Sequence, residues 1–202
     1  AFGQVVKFAE YARSEINAVG GYYAYARELI NGDSIFDFDV TKLSVHTLEV
    51  GLAGIEVYDL LRDEYGIQIE FGDLGNILAY LSIGDRPQEI ERLVSALAEV
   101  RRRFGRSRAG LMRQEYIDPK VAVSPQAAFY AAKESLPLSQ TGGRVCGEFV
   151  MCYPPGIPIL APGERISGEI LNYIAYAKGK GCVMTGPEDP GLARLNVLKE
   201  EA

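Results

Sequence analysis

Apolar residues recur at helical spacing from the start of the chain, with Val5, Phe8, Ala9, Ala12, Ile16 and Val19 on one face and Gly20-Gly21 ending the run. Tyr22 to Leu29 carries another apolar stretch, and Asn31-Gly32-Asp33 reads as a turn. Between Phe38 and Leu48 the β-branched Val40, Thr41, Val45 and Thr47 favour a strand. Gly51 and Gly54 lead into a helix with Ile55, Tyr58, Leu61 and Tyr65 on one face, stopped by Gly66. Ile67 to Phe71 then alternates. Ile67, Ile69 and Phe71 fall on one side and Gln68 and Glu70 on the other, which predicts a strand with one solvated face. A turn at Gly72-Asp73 follows. Asn76 to Ile83 is nearly continuous in apolar residues, the pattern of a central strand covered on both faces. Asp85 is the expected cap of a helix with Pro87 in its first turn, and Ile90, Leu93, Val94, Leu97, Val100 and Phe104 form its full apolar stripe. The order α, β, α, β, β, α over residues 1–104 implies one sheet covered by helices, an α/β or α+β layer.

Residues 105–117 are rich in Gly, Arg and Ser and read as a linker, so the boundary between two parts falls near 110 to 118. Beyond it, Ser124-Pro125 opens a helix expected over residues 126–133. Short strands are expected at Leu136 to Leu138, within Gly142 to Met151, at Ile157 to Leu160 and at Cys182 to Thr185, with Leu195 and Val197 on an edge strand. Ile166, Ile170, Ile174 and Ala177 mark a helix that starts at Ser167 and ends at Gly179 and Gly181. Pro154, Pro155, Pro158 and Pro162 place four of the chain's ten prolines within nine residues. Proline lacks the N–H and fixes φ, so a Pro-Pro-Gly core has no place in a helix or a central strand. Tyr153 to Glu164 is therefore expected to be a stiff, ordered loop between two buried elements.

Composition narrows the function classes. A formal net charge of −6 and a pI near 5.0 argue against a nucleic-acid partner, which wants a basic face. The one basic cluster, Arg101 to Arg103 with Arg106 and Arg108, reads as solvated cations at a helix C-terminus. No apolar run reaches the ~18 residues of a membrane span, so no membrane partner is expected. The amphipathic start has no signal-peptide core. Cys146, Cys152 and Cys182, with one histidine and no C-x-x-C spacing, speak against a disulfide framework and a zinc site. They read as reduced, buried cysteines of a cytoplasmic protein. Asp37 and Asp39 lack a third ligand and read as a turn rather than a metal site. The chain has no starting Met and opens inside a helix, which suggests a truncated or cleaved product.

The segment Tyr153-Pro-Pro-Gly-Ile-Pro-Ile-Leu-Ala-Pro-Gly-Glu164 resembles the signature of the C-terminal domain of the ornithine/lysine/arginine decarboxylases. The wording Asp39-Val-Thr-Lys-Leu, Gly66-Ile-Gln-Ile-Glu70 and Asn76-Ile-Leu-Ala-Tyr-Leu-Ser-Ile-Gly-Asp85 is similar to the same family. The resemblance covers all 202 residues, but only the C-terminal part of the family's chain. It implies a pyridoxal-phosphate enzyme of the aminotransferase fold. Residues 1–110 would be that fold's small domain and residues 118–202 the separate decarboxylase C-terminal domain. Such an enzyme needs a cofactor lysine and an acid on the ring nitrogen. The family's lysine follows a histidine, and no His-Lys pair exists here. His46 precedes Thr47 and reads as a strand residue, while Lys42 in Thr-Lys-Leu reads as a surface lysine. The cofactor residues are thus expected upstream of this chain, and the chain alone is expected to be inactive.

Within the chain, the resemblance implies that Glu70 pairs with the distal cation of a basic substrate, a task that suits a carboxylate. From pattern alone Glu70 is a solvated glutamate. Phe71 and Asp73 are its neighbours. Tyr153, Pro154, Pro155, Gly156 and Glu164 would form either a substrate-entrance wall or subunit contact, or a loop that serves the fold, with Glu164 near a helix N-terminus. The short, Gram-positive-type members look closest. The function expected is decarboxylation of arginine to agmatine in polyamine biosynthesis, with lysine and ornithine open as substrates. Expected partners are the basic amino acid, the missing cofactor domain and further copies in a homodimer or larger homo-oligomer. Two other readings stand beside this one: a non-catalytic assembly module of that enzyme, and an unrelated small α/β binding protein without an exposed apolar face.

Overall fold

The first apolar stripe folds as α1 (Phe2–Val19) in the computed structural model of the chain, which describes residues 2–108, 111–112 and 117–200. It buries Val5, Ala9, Ala12 and Ile16. The chain divides into two compact units, residues 1–113 and 114–202. In the first, β1 (Tyr23–Ala24), β2 (Lys42–His46), β3 (Phe71–Gly72) and β4 (Asn76–Tyr80) form one antiparallel sheet in the order β1-β2-β4-β3. Helices α2 (Gly54–Tyr65) and α3 (Pro87–Phe104) join α1 in a single apolar cluster with the sheet. Leu43, Val45, Ile77 and Ala79 are buried in it, with Leu61, Leu97 and Val100 from the helices. A fully buried Leu side chain contributes about 1.5–3 kcal/mol relative to an exposed one. Tyr22, also buried, donates its hydroxyl to the Leu97 carbonyl at 3.0 Å.

Several sequence expectations are corrected here. β4 is central, yet only one of its faces is covered. Ile77 and Ala79 point to the core, whereas Leu78 is half-buried and Tyr80 exposed. A continuous apolar run does not by itself say that both faces are buried. The strand expected over residues 38–48 shrinks to Lys42–His46. Ahead of it, the Asp39 carboxylate accepts from the Thr41 N–H and hydroxyl and pairs with Lys42, which makes a turn. After it, Leu48–Val50 form one 3-10 turn. Asp85 does not cap α3. Its carboxylate accepts the Ser82 N–H, and the helix starts after Arg86, whose N–H bonds to Glu89 at 2.9 Å. The arginine cluster is not merely solvated. Arg101 donates to the carbonyl of Val19, the last residue of α1, and Arg106 Nε donates to the Gly51 carbonyl at 3.0 Å. The start of the expected linker is thereby sewn onto the first unit. Gly51 has φ 82, and a Cβ there would lie 2.0 Å from the Arg106 carbonyl oxygen.

The second unit uses smaller elements. Ser124 caps α4 (Pro125–Tyr130) by accepting the Ala127 N–H at 3.2 Å. That helix ends earlier than expected, because Ala131 turns extended and Lys133 opens β5 (Lys133–Pro137). β5 pairs antiparallel with β9 (Arg194–Leu198). A separate sheet has β6 (Val150–Tyr153) between β7 (Ile157–Leu160) and β8 (Val183–Thr185). Its helix is α5 (Gly168–Gly179), capped by Ser167, with Ile170, Ile174 and Ala177 buried. The proline-rich segment is therefore a hairpin rather than a loop throughout. Pro154-Pro155-Gly156 make its turn, where both X-Pro bonds are cis, and Gly156 (φ 95) donates to Cys152 at 2.8 Å. Pro158 sits on the edge strand β7, where a missing N–H is tolerated.

Candidate functional site

Glu70 sits where the sheet of the first unit parts. The Glu70 N–H donates to the Leu78 carbonyl at 3.0 Å, yet Phe71 is the residue paired with Leu78. Two residues thus stand opposite one, as in a β-bulge. The bulge breaks the alternation read from the sequence. Ile69 is buried, whereas Phe71 lies on the half-open face with Leu78. Ile67 and Ile69 are therefore not on a common strand face with Phe71, and residues 67–70 form no regular strand.

Beyond the bulge, the segment Gly66 to Glu70, the end of β4 and the start of α3 enclose a cleft of about 430 Å³. Ile67, Ile69, Leu81, Ile90 and Leu93 supply its apolar lining. The polar groups at its rim are mostly occupied. Arg86 holds Glu89, and that hydrogen bond keeps the Glu89 carboxyl below its usual range. Asp85 is used by Ser82, and Arg92 donates to the Tyr65 and Gly66 carbonyls. Glu70 differs. Its carboxylate is exposed and takes no hydrogen-bond or ion-pair partner among the described residues. An apolar cleft with one unpaired carboxylate at its rim can hold an aliphatic stem that ends in a cation.

The segment that carries Glu70 is anchored on α2. Gln68 Nε2 donates to the Tyr58 hydroxyl at 2.8 Å and to the Ile69 carbonyl at 2.9 Å. On the other side of Glu70, Gly72 passes the α2 start so closely that a Cβ would lie 2.3 Å from the Gly54 carbonyl oxygen. Asp73 shapes the next turn, accepting the Gly75 and Asn76 N–H groups at 2.7 and 2.6 Å. Sequence reasoning missed Gln68 and Tyr58, since nothing in a pattern links a glutamine beside a bulge to a tyrosine on the preceding helix.

The remaining candidates of the first unit do not line the cleft. Lys42 is paired with Asp39 at 3.1 Å and lies 4.4 Å from the centre of the Tyr80 ring. That surface pairing does not fit a lysine reserved for a cofactor. His46 Nδ1 lies 3.2 Å from Asn76 Oδ1 on the half-open sheet face. Lys42 and His46 are thus each engaged by a neighbour on the same sheet face. Asp37 pairs with Arg27, and no group of three metal-ligating side chains occurs among the described residues. Cys146, Cys152 and Cys182 are buried and form no disulfide among the described residues, and burial pushes the Cys146 thiol up to about 11. No helix is long and apolar enough to cross a membrane among the described residues.

In the second unit, Tyr153 closes β6 and is 56% exposed, beside Val183 across the ladder. The Glu164 carboxylate accepts the Ala161 N–H at 2.7 Å, while its backbone carbonyl accepts from Cys146. It thus closes the turn after β7, three residues ahead of the Ser167 cap of α5.

Residues 109–186 match the family described as Orn/Lys/Arg decarboxylase, C-terminal domain. The chain is 36% identical over 201 residues to the arginine decarboxylase of Bacillus subtilis (strain 168), a match that covers 98% of this chain and 41% of the relative. It is 37% identical over 204 residues to the arginine decarboxylase of Halalkalibacterium halodurans, with the same coverage. The chain belongs to the Orn/Lys/Arg decarboxylase family and corresponds to its C-terminal part. It spans about two-fifths of the length of these relatives. The fold agrees. A Francisella novicida lysine decarboxylase superposes with a TM-score of 0.68 at 16% identity, covering 98% of this chain and 40% of that one. The constitutive lysine decarboxylase of Escherichia coli gives 0.66 at 18%, again over 98% of this chain and 40% of that one. The expected mixed fold, with helices on sheets, and the family recognised from the YPPGIPILAPGE segment are both borne out.

Proposed function

We propose that this chain is the C-terminal part of a pyridoxal-phosphate-dependent decarboxylase of a basic amino acid, arginine first, and that Glu70 binds the substrate's distal cation. The observation that carries the site is the unpaired Glu70 carboxylate at the rim of an apolar cleft. The lining side chains match the methylene stem of arginine, lysine or ornithine, and the carboxylate matches a guanidinium or ammonium. Similarity to arginine decarboxylases over nearly the whole chain supports arginine as the substrate, with agmatine and carbon dioxide as products and polyamine synthesis as the setting. The cofactor supplies the electron sink for loss of the carboxylate when bound. Its lysine and ring-nitrogen acid belong to the part of the family's chain that precedes this one. Cytoplasmic location and a homo-oligomer complete the reading, with the Tyr153–Glu164 hairpin as an entrance wall or subunit contact.

The test is Glu70→Ala in the full-length decarboxylase, assayed for carbon dioxide release from arginine, lysine and ornithine. The expected result is a roughly hundredfold fall in kcat/KM for the preferred substrate, from loss of a charge-assisted contact, with the fold intact. Unchanged kinetics would remove Glu70 from the site and leave this chain as an assembly module. The exposed Tyr153 and Val183, neighbours across β6 and β8, would then be the first surface to examine.

A further inference from the structure

A bulge interrupts the ladder between β3 and β4, and an interrupted ladder leaves backbone groups that need other partners. Residues Gly72 and Phe71 are paired with Ile77 and Leu78, and the Glu70 N–H still reaches the Leu78 carbonyl. One residue earlier the pairing has stopped. The Ile69 carbonyl is taken instead by the side-chain amide of its neighbour Gln68, at 2.9 Å. The second hydrogen of that amide goes to the Tyr58 hydroxyl at 2.8 Å. Tyr58 lies in the middle of a regular helix, and its Cβ lies 2.8 Å from where Gly72 would place one. The peptide unit that enters Glu70 is thus tied to α2 by one side chain, and the residues that leave Glu70 are wedged against the start of the same helix.

We propose that Gln68, held by Tyr58, is the positioning residue for Glu70: it locks the Ile69 carbonyl at the bulge and so fixes where the Glu70 carboxylate stands at the rim of the cleft. The inference rests on the substrate-binding reading of Glu70. Gln68 itself does not touch the substrate. It acts on KM by keeping the carboxylate in one place, so that binding the cation does not have to order a loose segment. Gln68→Met keeps the length of the side chain and removes both donors. Tyr58→Phe keeps the ring packed near Gly72 and removes only the hydroxyl.

The experiment measures KM and kcat for the preferred basic amino acid in the full-length decarboxylase, with thermal unfolding followed in parallel. Gln68→Met is expected to raise KM about tenfold, and Tyr58→Phe a few-fold, with kcat and the melting temperature nearly unchanged. The deciding variant is Gln68→Met combined with Glu70→Gln. If Gln68 acts through Glu70, the double variant is no worse than Glu70→Gln alone. A full tenfold loss added on top of Glu70→Gln would overturn the proposal and make Gln68 a separate structural or binding group. An unchanged KM in Gln68→Met, where Glu70→Gln raises KM, would also overturn it and leave the Glu70 reading standing. An unchanged KM in Glu70→Gln itself would instead remove the substrate-binding reading, and the positioning role with it.

Discussion

The two units solve the same problem with different materials. The first buries one continuous apolar cluster between three helices and a four-stranded sheet. Among its described residues the second has two small sheets, two α-helices and several isolated bridges, with long stretches of irregular chain between them. Irregular backbone needs partners for its N–H and C=O groups. The second unit finds them in carboxylates. Glu148 accepts the N–H groups of Glu188 and Asn196, Asp189 accepts those of Gly191, Ala193 and Arg194, and Glu164 accepts that of Ala161. The first unit has such fastenings too, at Asp39, Asp73 and Asp85, but adds carboxylates that meet arginines on the surface, as in Arg86–Glu89, Arg102–Glu99 and Arg62–Asp63. The first unit should therefore fail where packing fails, and the second where its backbone fastenings fail.

The largest test of that contrast is Gly163→Ala. Gly163 has φ 94, and a Cβ would lie 2.1 Å from the carbonyl oxygen of Val123. The strain of the conformation adds to the clash with backbone, so a loss of more than about 4 kcal/mol is expected, confined to the second unit. Hydrogen exchange resolved by residue checks it, since amides of β6 and β9 should lose protection while those of α1 and α3 keep it. Equal loss in both units would break the comparison.

Next comes Leu97→Ala in α3. Leu97 is fully buried in the first unit's cluster, so truncation should cost about 3 kcal/mol through lost transfer energy and a cavity. Protection should fall across α1, α3 and the first sheet together, because the cluster is continuous. A loss limited to α3 would show that the cluster is less cooperative than its packing implies.

The smallest effect is on acidification. Hydrogen bonds from the Arg194, Gly191 and Ala193 N–H groups hold the Asp189 carboxyl below its usual range. A depressed carboxyl contributes stability that is present above its unfolded pKa, near 4, and is lost as pH falls through the folded value. Exchange in the turn before β9 should therefore rise below about pH 4, and Asp189→Asn should abolish that pH dependence. Added salt should weaken the exposed arginine pairs of the first unit far more than this turn, because backbone amides are not screened counter-charges. An acid response unaltered in Asp189→Asn would assign it to another group.

The helices were legible in the residues. The α1, α3 and α5 stripes, the glycine after α2, and the caps at Ser124 and Ser167 all lie where the pattern put them. Each depends on spacing within one segment, which a sequence displays directly. The candidate site was legible only as a residue. Glu70 could be named from its resemblance context, but its strand was misread. The bulge exists because Phe71 and Glu70 share one partner on β4.

What the sequence determined by itself is therefore local and familial: where the helices lie and which face they bury, that the fold mixes helices and sheets, and which family the YPPGIPILAPGE segment marks. Tertiary structure decided the rest. It left one face of β4 half-open, turned the proline loop into a hairpin, and set Arg101 on the end of a different helix. It also tied Glu70 to α2 through Gln68 and Tyr58. Each of these depends on which distant backbone group stands opposite a residue. That relation is set by the packing of whole elements, and no spacing along the chain records it.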